Sequence, residues 1–246
     1  MNHLNRRLLI LLPLAVGIGC RLLSFPPPVT HSSQPTLTVD LEAFSQAGCA
    51  PDEYGSWTCP ADSPVNALQC DRLRAPEDLL GGLDPAYPLA HCQYLPIQHG
   101  QDPGADATQE YIYRDGCLMP AFNRYAIFKD GQFQLLKNLA DLQATYAPIE
   151  SPDEALSYAL AVTGNMAIYG FEAPLGYRYL IDEIEDTHVV ETPEGYQVLL
   201  YDYQLCGCGP HTTSAVWLEV SKSGEVKETE RTPAFENPEE DGLCVD

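Results

Sequence analysis

Nine cysteines constrain this chain more than any other feature: Cys20, Cys49, Cys59, Cys70, Cys92, Cys117, Cys206, Cys208 and Cys244. An odd number is awkward wherever thiols are driven to pair. The N-terminus points to such a place. Arg6 and Arg7 precede an uncharged apolar run from Leu8 to Ile18, and Gly17 and Gly19 are small residues just before Cys20. A positive start, an apolar stretch and a small-residue cleavage site read as a secretory signal over residues 1–19. The run is well short of the roughly 20 residues that span a bilayer. Pro13 and the glycines suit export better than a buried helix of the mature fold. The Arg6-Arg7 pair also allows twin-arginine export, but Leu9 stands where that motif usually has Phe, so the general route is expected.

Gly17-Ile18-Gly19-Cys20 resembles the lipobox of bacterial lipoproteins. Ile18, Gly19 and Cys20 fit it; Gly17 departs from the usual aliphatic residue. The resemblance implies lipidation of Cys20, and through it a membrane anchor at the cell envelope. Ordinary cleavage after Gly19, giving a secreted soluble protein, is the alternative. The following Pro- and Ser-rich stretch, within residues 20–39, reads as a semi-rigid tether.

With Cys20 set aside, eight cysteines remain, enough for four disulfides. Five lie in residues 40–120 (Cys49, Cys59, Cys70, Cys92 and Cys117) and three in 200–246 (Cys206, Cys208 and Cys244). Both counts are odd. If all eight pair, at least one bridge joins the two groups. The pairing itself is not legible from spacing.

Charge narrows the partners. The chain carries 13 basic and 35 acidic residues, a net −22. Loss of residues 1–19 removes Arg6 and Arg7, leaving 11 basic residues and a net −24. Such a surface repels nucleic-acid phosphates and anionic lipid head groups. The expected membrane contact is through the N-terminal lipid alone. The acidic clusters Asp182–Asp186 and Glu236–Asp241 lack the spacing of an EF-hand and read as solvated face or tail.

Residues 40–120 lack apolar periodicity and read as a Cys-rich, loop-rich region of short elements; 101–109 reads as an exposed loop. Residues 121–246 read as an α+β domain with an acidic C-terminal tail. Asp130-Gly131 sits between alternating segments and predicts a type I′ hairpin. Asn138 predicts a helix cap, with Leu139, Leu142 and Tyr146 on one face and Pro148 as the stop. Ser151-Pro152-Asp153-Glu154 predicts a capping box opening a second helix, which Gly164 ends. Leu156, Ala159, Leu160 and Thr163 form its apolar stripe. Candidate strands follow at 177–191, 196–205, 213–220 and 224–231, the first with a break near Asp186. The fold class is therefore α+β: a disulfide-stabilised loop-rich region, then a β-hairpin, two short helices and an antiparallel β-meander. The element order resembles cystatin-like and peptidase-propeptide-like rolls, a likeness of topology that implies no function.

Motifs for catalysis are missing from the sequence. It has no G-x-S-x-G elbow, no H-E-x-x-H, no P-loop, no dinucleotide fingerprint and no C-x-x-C. Nothing calls for a cofactor. His31 and His99 read as solvated, His91 as a surface or packing residue, and His188 as part of a strand. Cys206-Gly-Cys208-Gly-Pro-His211 is the one chemically suggestive constellation. Two thiolates and an imidazole so placed form a soft set for Zn²⁺ or Cu(I). The preferred reading gives each of the two cysteines a different disulfide partner, since a bridge between them would be badly strained.

The leading expectation is an exported, lipid-anchored, non-enzymatic binding or interaction module. One rival is an envelope metal-binding protein using Cys206, Cys208 and His211. Another is an extracytoplasmic hydrolase with dispersed residues, which a cleft with converging Asp, Glu or His side chains would favour.

Overall fold

The computed structural model describes residues 26–100 and 110–246. Strand β1 is Val29–Thr30, and helix α1 is Glu42–Gln46. Short strands follow: β2 Ala50–Pro51, β3 Ser56–Thr58, β4 Arg72–Arg74, β5 Leu89–Tyr94 and β6 Tyr113–Asp115. Then come β7 Ala121–Lys129, β8 Gln132–Leu136, α2 Leu139–Tyr146 and α3 Pro152–Thr163. The first sheet runs β2-β3-β4-β5-β7-β6, with β8 also on β7, and all its pairs are antiparallel. It therefore continues across residue 120. The region 40–120 is loop-rich as expected, but it also supplies most of a sheet. Its strands of two to six residues are too short to show a period.

The remaining strands are β9 Arg178–Tyr179, β10 Ile184–Glu185, β11 His188–Thr192, β12 Gly195–Tyr203, β13 Gly207–Cys208, β14 Thr212–Ser221, β15 Val226–Glu236 and β16 Cys244–Val245. The expected meander is the second sheet, in the order β11-β12-β14-β15-β9. The long candidate strand at 177–191 is three separate strands in three different positions.

Local signals placed the middle of the chain. Asp130 and Gly131 have φ of 53° and 76°, the two left-handed residues that a type I′ turn requires. The Asn138 side chain accepts from Asp141 N at 2.9 Å, and Ser151 Oγ accepts from Glu154 N at 3.2 Å. Glu154 reaches back one residue further than a capping box predicts, to Glu150 N at 2.7 Å. Gly164 closes α3 at φ +68°, and a Cβ there would lie 2.3 Å from the Tyr113 ring.

Helix α3 differs from a surface helix, because Glu154 to Ala161 are all buried. The main core explains this. It joins Leu89, Tyr125 and Ile127 of the first sheet to Val198, Leu200, Val216 and Leu218 of the second, with α2 and α3 among them. The helices form a layer covered by both sheets, and residues 78–82 cap α3 from another side. There Ser157 Oγ accepts from Gly82 N at 3.1 Å and donates to the Leu79 carbonyl.

Two segments expected to be loose are tied down. Residues 26–39, expected as tether, lie along the fold: β1 pairs with β10 in parallel, and Leu37 and Val39 pack on the main core. Their Pro and Ser content hid two adhesive features, alternate apolar residues and a contact from His31 Nδ1 to the buried Asp186 carboxylate, 3.1 Å away. The acidic tail also folds back. Strand β16 pairs with β13, and Arg178 clamps Glu236 and Asp241.

Candidate functional site

The eight cysteines after Cys20 form four disulfides: Cys49–Cys59, Cys70–Cys92, Cys117–Cys206 and Cys208–Cys244. Cys117–Cys206 joins the edge of the first sheet to the loop after β12. Together the four bridges indicate an oxidising, extracytoplasmic environment. Cys20 lies outside the described residues. Among the described residues no helix is long and apolar enough to cross a membrane.

The Cys206-to-His211 loop does not form the soft ligand set. Cys206 and Cys208 go to different disulfides, and a disulfide sulfur is no thiolate. His211 is buried, with Nδ1 2.8 Å from the Gln204 carbonyl oxygen and Nε2 3.1 Å from that of Leu243. Both nitrogens point at backbone carbonyl oxygens inside the fold, so neither is open to a metal. The two carbonyls raise its pKa above the ordinary imidazole value. These contacts rule out the Zn²⁺ or Cu(I) site expected as an alternative at Cys206, Cys208 and His211.

A different place has the character of a site. On β5, Cys92 and Tyr94 share one face by the two-residue period; across on β7, Arg124 and Phe122 lie opposite them. Leu135 of β8 pairs with Ala126 on that same face, and Lys137 continues its line. The Cys70–Cys92 bridge pulls residues 67–71 over the face as a wall. The result is a cleft of about 690 Å3, lined among others by Asp71, Tyr94, His99, Arg124 and Lys137. Its volume falls in the usual range for small-molecule sites, about 300–1,000 Å3.

The lining is ordered by specific contacts. Asp71 Oδ2 accepts from Leu95 N at 2.6 Å, which fixes the turn after β5. The same carboxylate meets His99 Nε2 at 2.9 and 3.0 Å. The His99 ring stacks on Tyr94, centroids 4.6 Å apart and 5° from coplanar. The Arg124 guanidinium lies 5.0 Å from the Tyr94 centroid, and its Nε donates to the Glu110 carbonyl at 2.6 Å. Burial lowers the pKa of Arg124, with Tyr94, Glu110 and Asp71 opposing. His99, expected to be solvated, is held in place by both a ring and a carboxylate. Sequence reasoning missed this group entirely. Its only local signal was Cys70-Asp71 beside a Tyr94–His99 spacing that carries no motif.

The opposite face of β5 and β7 holds a polar ladder inside the core. Gln93 Nε2 donates to Asn123 Oδ1 at 3.0 Å, and Tyr113 OH lies 3.3 Å from His91 Nε2. His91 therefore faces inward, and burial lowers its pKa. The ladder ties β5, β6 and β7 to one another, and beside it Tyr125 OH donates to the Ala161 carbonyl of α3 at 3.2 Å. His188 sits edge-on to Trp217, 5.3 Å between centroids, on the second sheet.

No family model, no curated protein and no solved structure matches this chain.

Proposed function

We propose that the protein is an exported cell-envelope module, held to a membrane by lipid on Cys20, that binds a small anionic molecule in the cleft between β5, β7 and residues 67–71. The observation that carries this reading is the lining itself. Among the described residues that line it, Arg124 and Lys137 stand with a single carboxylate, Asp71, in a chain with 13 basic residues against 35 acidic. The Tyr94–His99 stack gives the cleft a flat wall for a planar group. Four disulfides keep such a site rigid outside the cytoplasm, and the lipobox-like Gly17-Ile18-Gly19-Cys20 supports the anchor.

Calorimetric titration with a panel of small carboxylates and phosphate esters tests the cleft. Lys137→Ala is expected to weaken binding about tenfold, the size of one charge-assisted contact, without a change in melting temperature, and His99→Ala to weaken it by removing half of the stacked wall. A ligand whose affinity ignores both substitutions would sit elsewhere and remove this reading.

One observation favours a second reading. A carboxylate that orients an imidazole is the arrangement of a general base, and Asp71 does this to His99. Cys70 is consumed in a disulfide and no Ser or Thr is among the described residues that line the cleft, so a hydrolase built on them would activate water directly. Turnover of an ester substrate that vanishes in His99→Ala would promote it.

A further inference from the structure

We infer that the loop from Phe171 to Ile181 is a membrane-facing surface that rests on the neutral, zwitterionic head groups of the bilayer to which Cys20 is anchored. The inference rests on the lipid-anchor reading above and adds an orientation to it. Strand β1 runs parallel to β10, with Val29 opposite Ile184, and Pro28 O accepts from Ile184 N at 3.0 Å. In a parallel pair, stepping back along one strand is stepping back along the other. The chain leading from Val29 towards Cys20 therefore leaves the fold on the side of Ile181 and Leu180. Pro26 follows Cys20 by six positions, a reach of at most about 20 Å at full extension. With Cys20 in the bilayer, this side of the molecule stands against it.

That side is apolar in a way a solvated surface need not be. Leu175 at the loop tip is 86% exposed, and Leu180 is 49% exposed. Beneath them the loop is stiff. Phe171 stacks on Phe235 at 4.7 Å, Tyr177 lies 5.9 Å from the same ring, and Tyr179 OH donates to the Pro174 carbonyl at 2.8 Å. Exposed leucines on a tyrosine platform match the composition that settles at a membrane–water interface. Exposed Glu172 lies within the loop and exposed Asp182 and Glu183 follow it directly, while Arg178 is taken by Glu236 and Asp241. The rim thus disfavours anionic lipid and leaves a zwitterionic surface as the fitting partner.

Wild-type lipidated protein, Leu175→Trp, Leu180→Trp and, as a control at an 82%-exposed site, Tyr54→Trp are reconstituted in phosphatidylcholine vesicles with and without brominated acyl chains. Emission is compared with that of the wild type, which carries Trp57 and Trp217. The expected result is at least twofold stronger quenching by brominated lipid at 175 and 180 than at 54, with protection there from aqueous iodide. Vesicle-bound protein whose 175 and 180 positions remain as iodide-accessible as position 54 overturns the orientation while leaving the anchor intact. Wild-type protein that fails to float with vesicles overturns the anchor, and the orientation with it. Shielding in native membranes but not in phosphatidylcholine vesicles assigns the loop to a protein partner and also overturns the proposal.

Discussion

The His211 imidazole pins the C-terminal segment to the second sheet: its Nε2 lies 3.1 Å from the carbonyl oxygen of Leu243, while Nδ1 holds the Gln204 carbonyl at 2.8 Å. A neutral ring can donate to only one of these oxygens; the imidazolium donates to both. Glu240 adds a favourable charge and is itself held by Tyr203 OH at 2.7 Å.

The consequence is a pH dependence with a definite sign. The folded pKa of His211 is raised above its unfolded value of about 6.5. Its stabilisation is therefore complete below that value and is lost as pH rises through the higher folded pKa. The difference in urea midpoint between wild type and His211→Ala should be largest near pH 6 and shrink steadily towards pH 9. His91, whose pKa is lowered, titrates with the opposite trend, which is why the difference is the quantity to follow. A difference that stays constant across this range would remove the charged imidazole from the account.

Cys117 and Cys206 are separated by 89 residues, whereas Cys49 and Cys59 are separated by 10. Chain-entropy reasoning gives the longer loop about 4.5 kcal/mol of stabilisation and the shorter about 2.7. The double variant Cys117→Ser/Cys206→Ser should thus lose more stability in urea than Cys49→Ser/Cys59→Ser. Equal losses would show that the bridge between the sheets does not restrain the unfolded chain as its span requires.

Asp186 is fully buried and anchors the N-terminal segment. Its carboxylate accepts from Gly170 N at 2.9 Å and Ser32 N at 3.2 Å, besides meeting His31. Burial by itself would raise its pKa, but these bonds outweigh it and the pKa lies below the ordinary carboxylate value. The stabilisation is present above the unfolded pKa of about 3.9 and disappears as pH falls through the lower folded value. Asp186→Asn presents an amide to several N–H donors and should cost about 2–3 kcal/mol. Amide exchange in residues 28–32 should rise more in this variant than in α3; uniform protection would contradict the anchoring role.

The features legible in the sequence are those that act over a few residues. The Asp130-Gly131 turn, the Asn138 and Ser151 caps and the Gly164 stop each depend on one residue's backbone preference or one short side chain. Their partners lie within four positions. Parity of the cysteines required a bridge between the two groups, because odd counts cannot pair among themselves. Which bridge it is, Cys117–Cys206, was decided by the packing of two sheets on a shared helical layer. The same packing buried α3 on nearly every side and drew residues 26–39 onto the surface of the fold. The cleft was illegible for a related reason. Asp71, Tyr94, His99, Arg124 and Lys137 come from segments up to 66 positions apart. They meet only because β4, β5, β7 and β8 align in register and a disulfide folds one wall over them. Register is set by long-range strand pairing and by which face is buried, neither of which a local stretch of sequence can fix by itself.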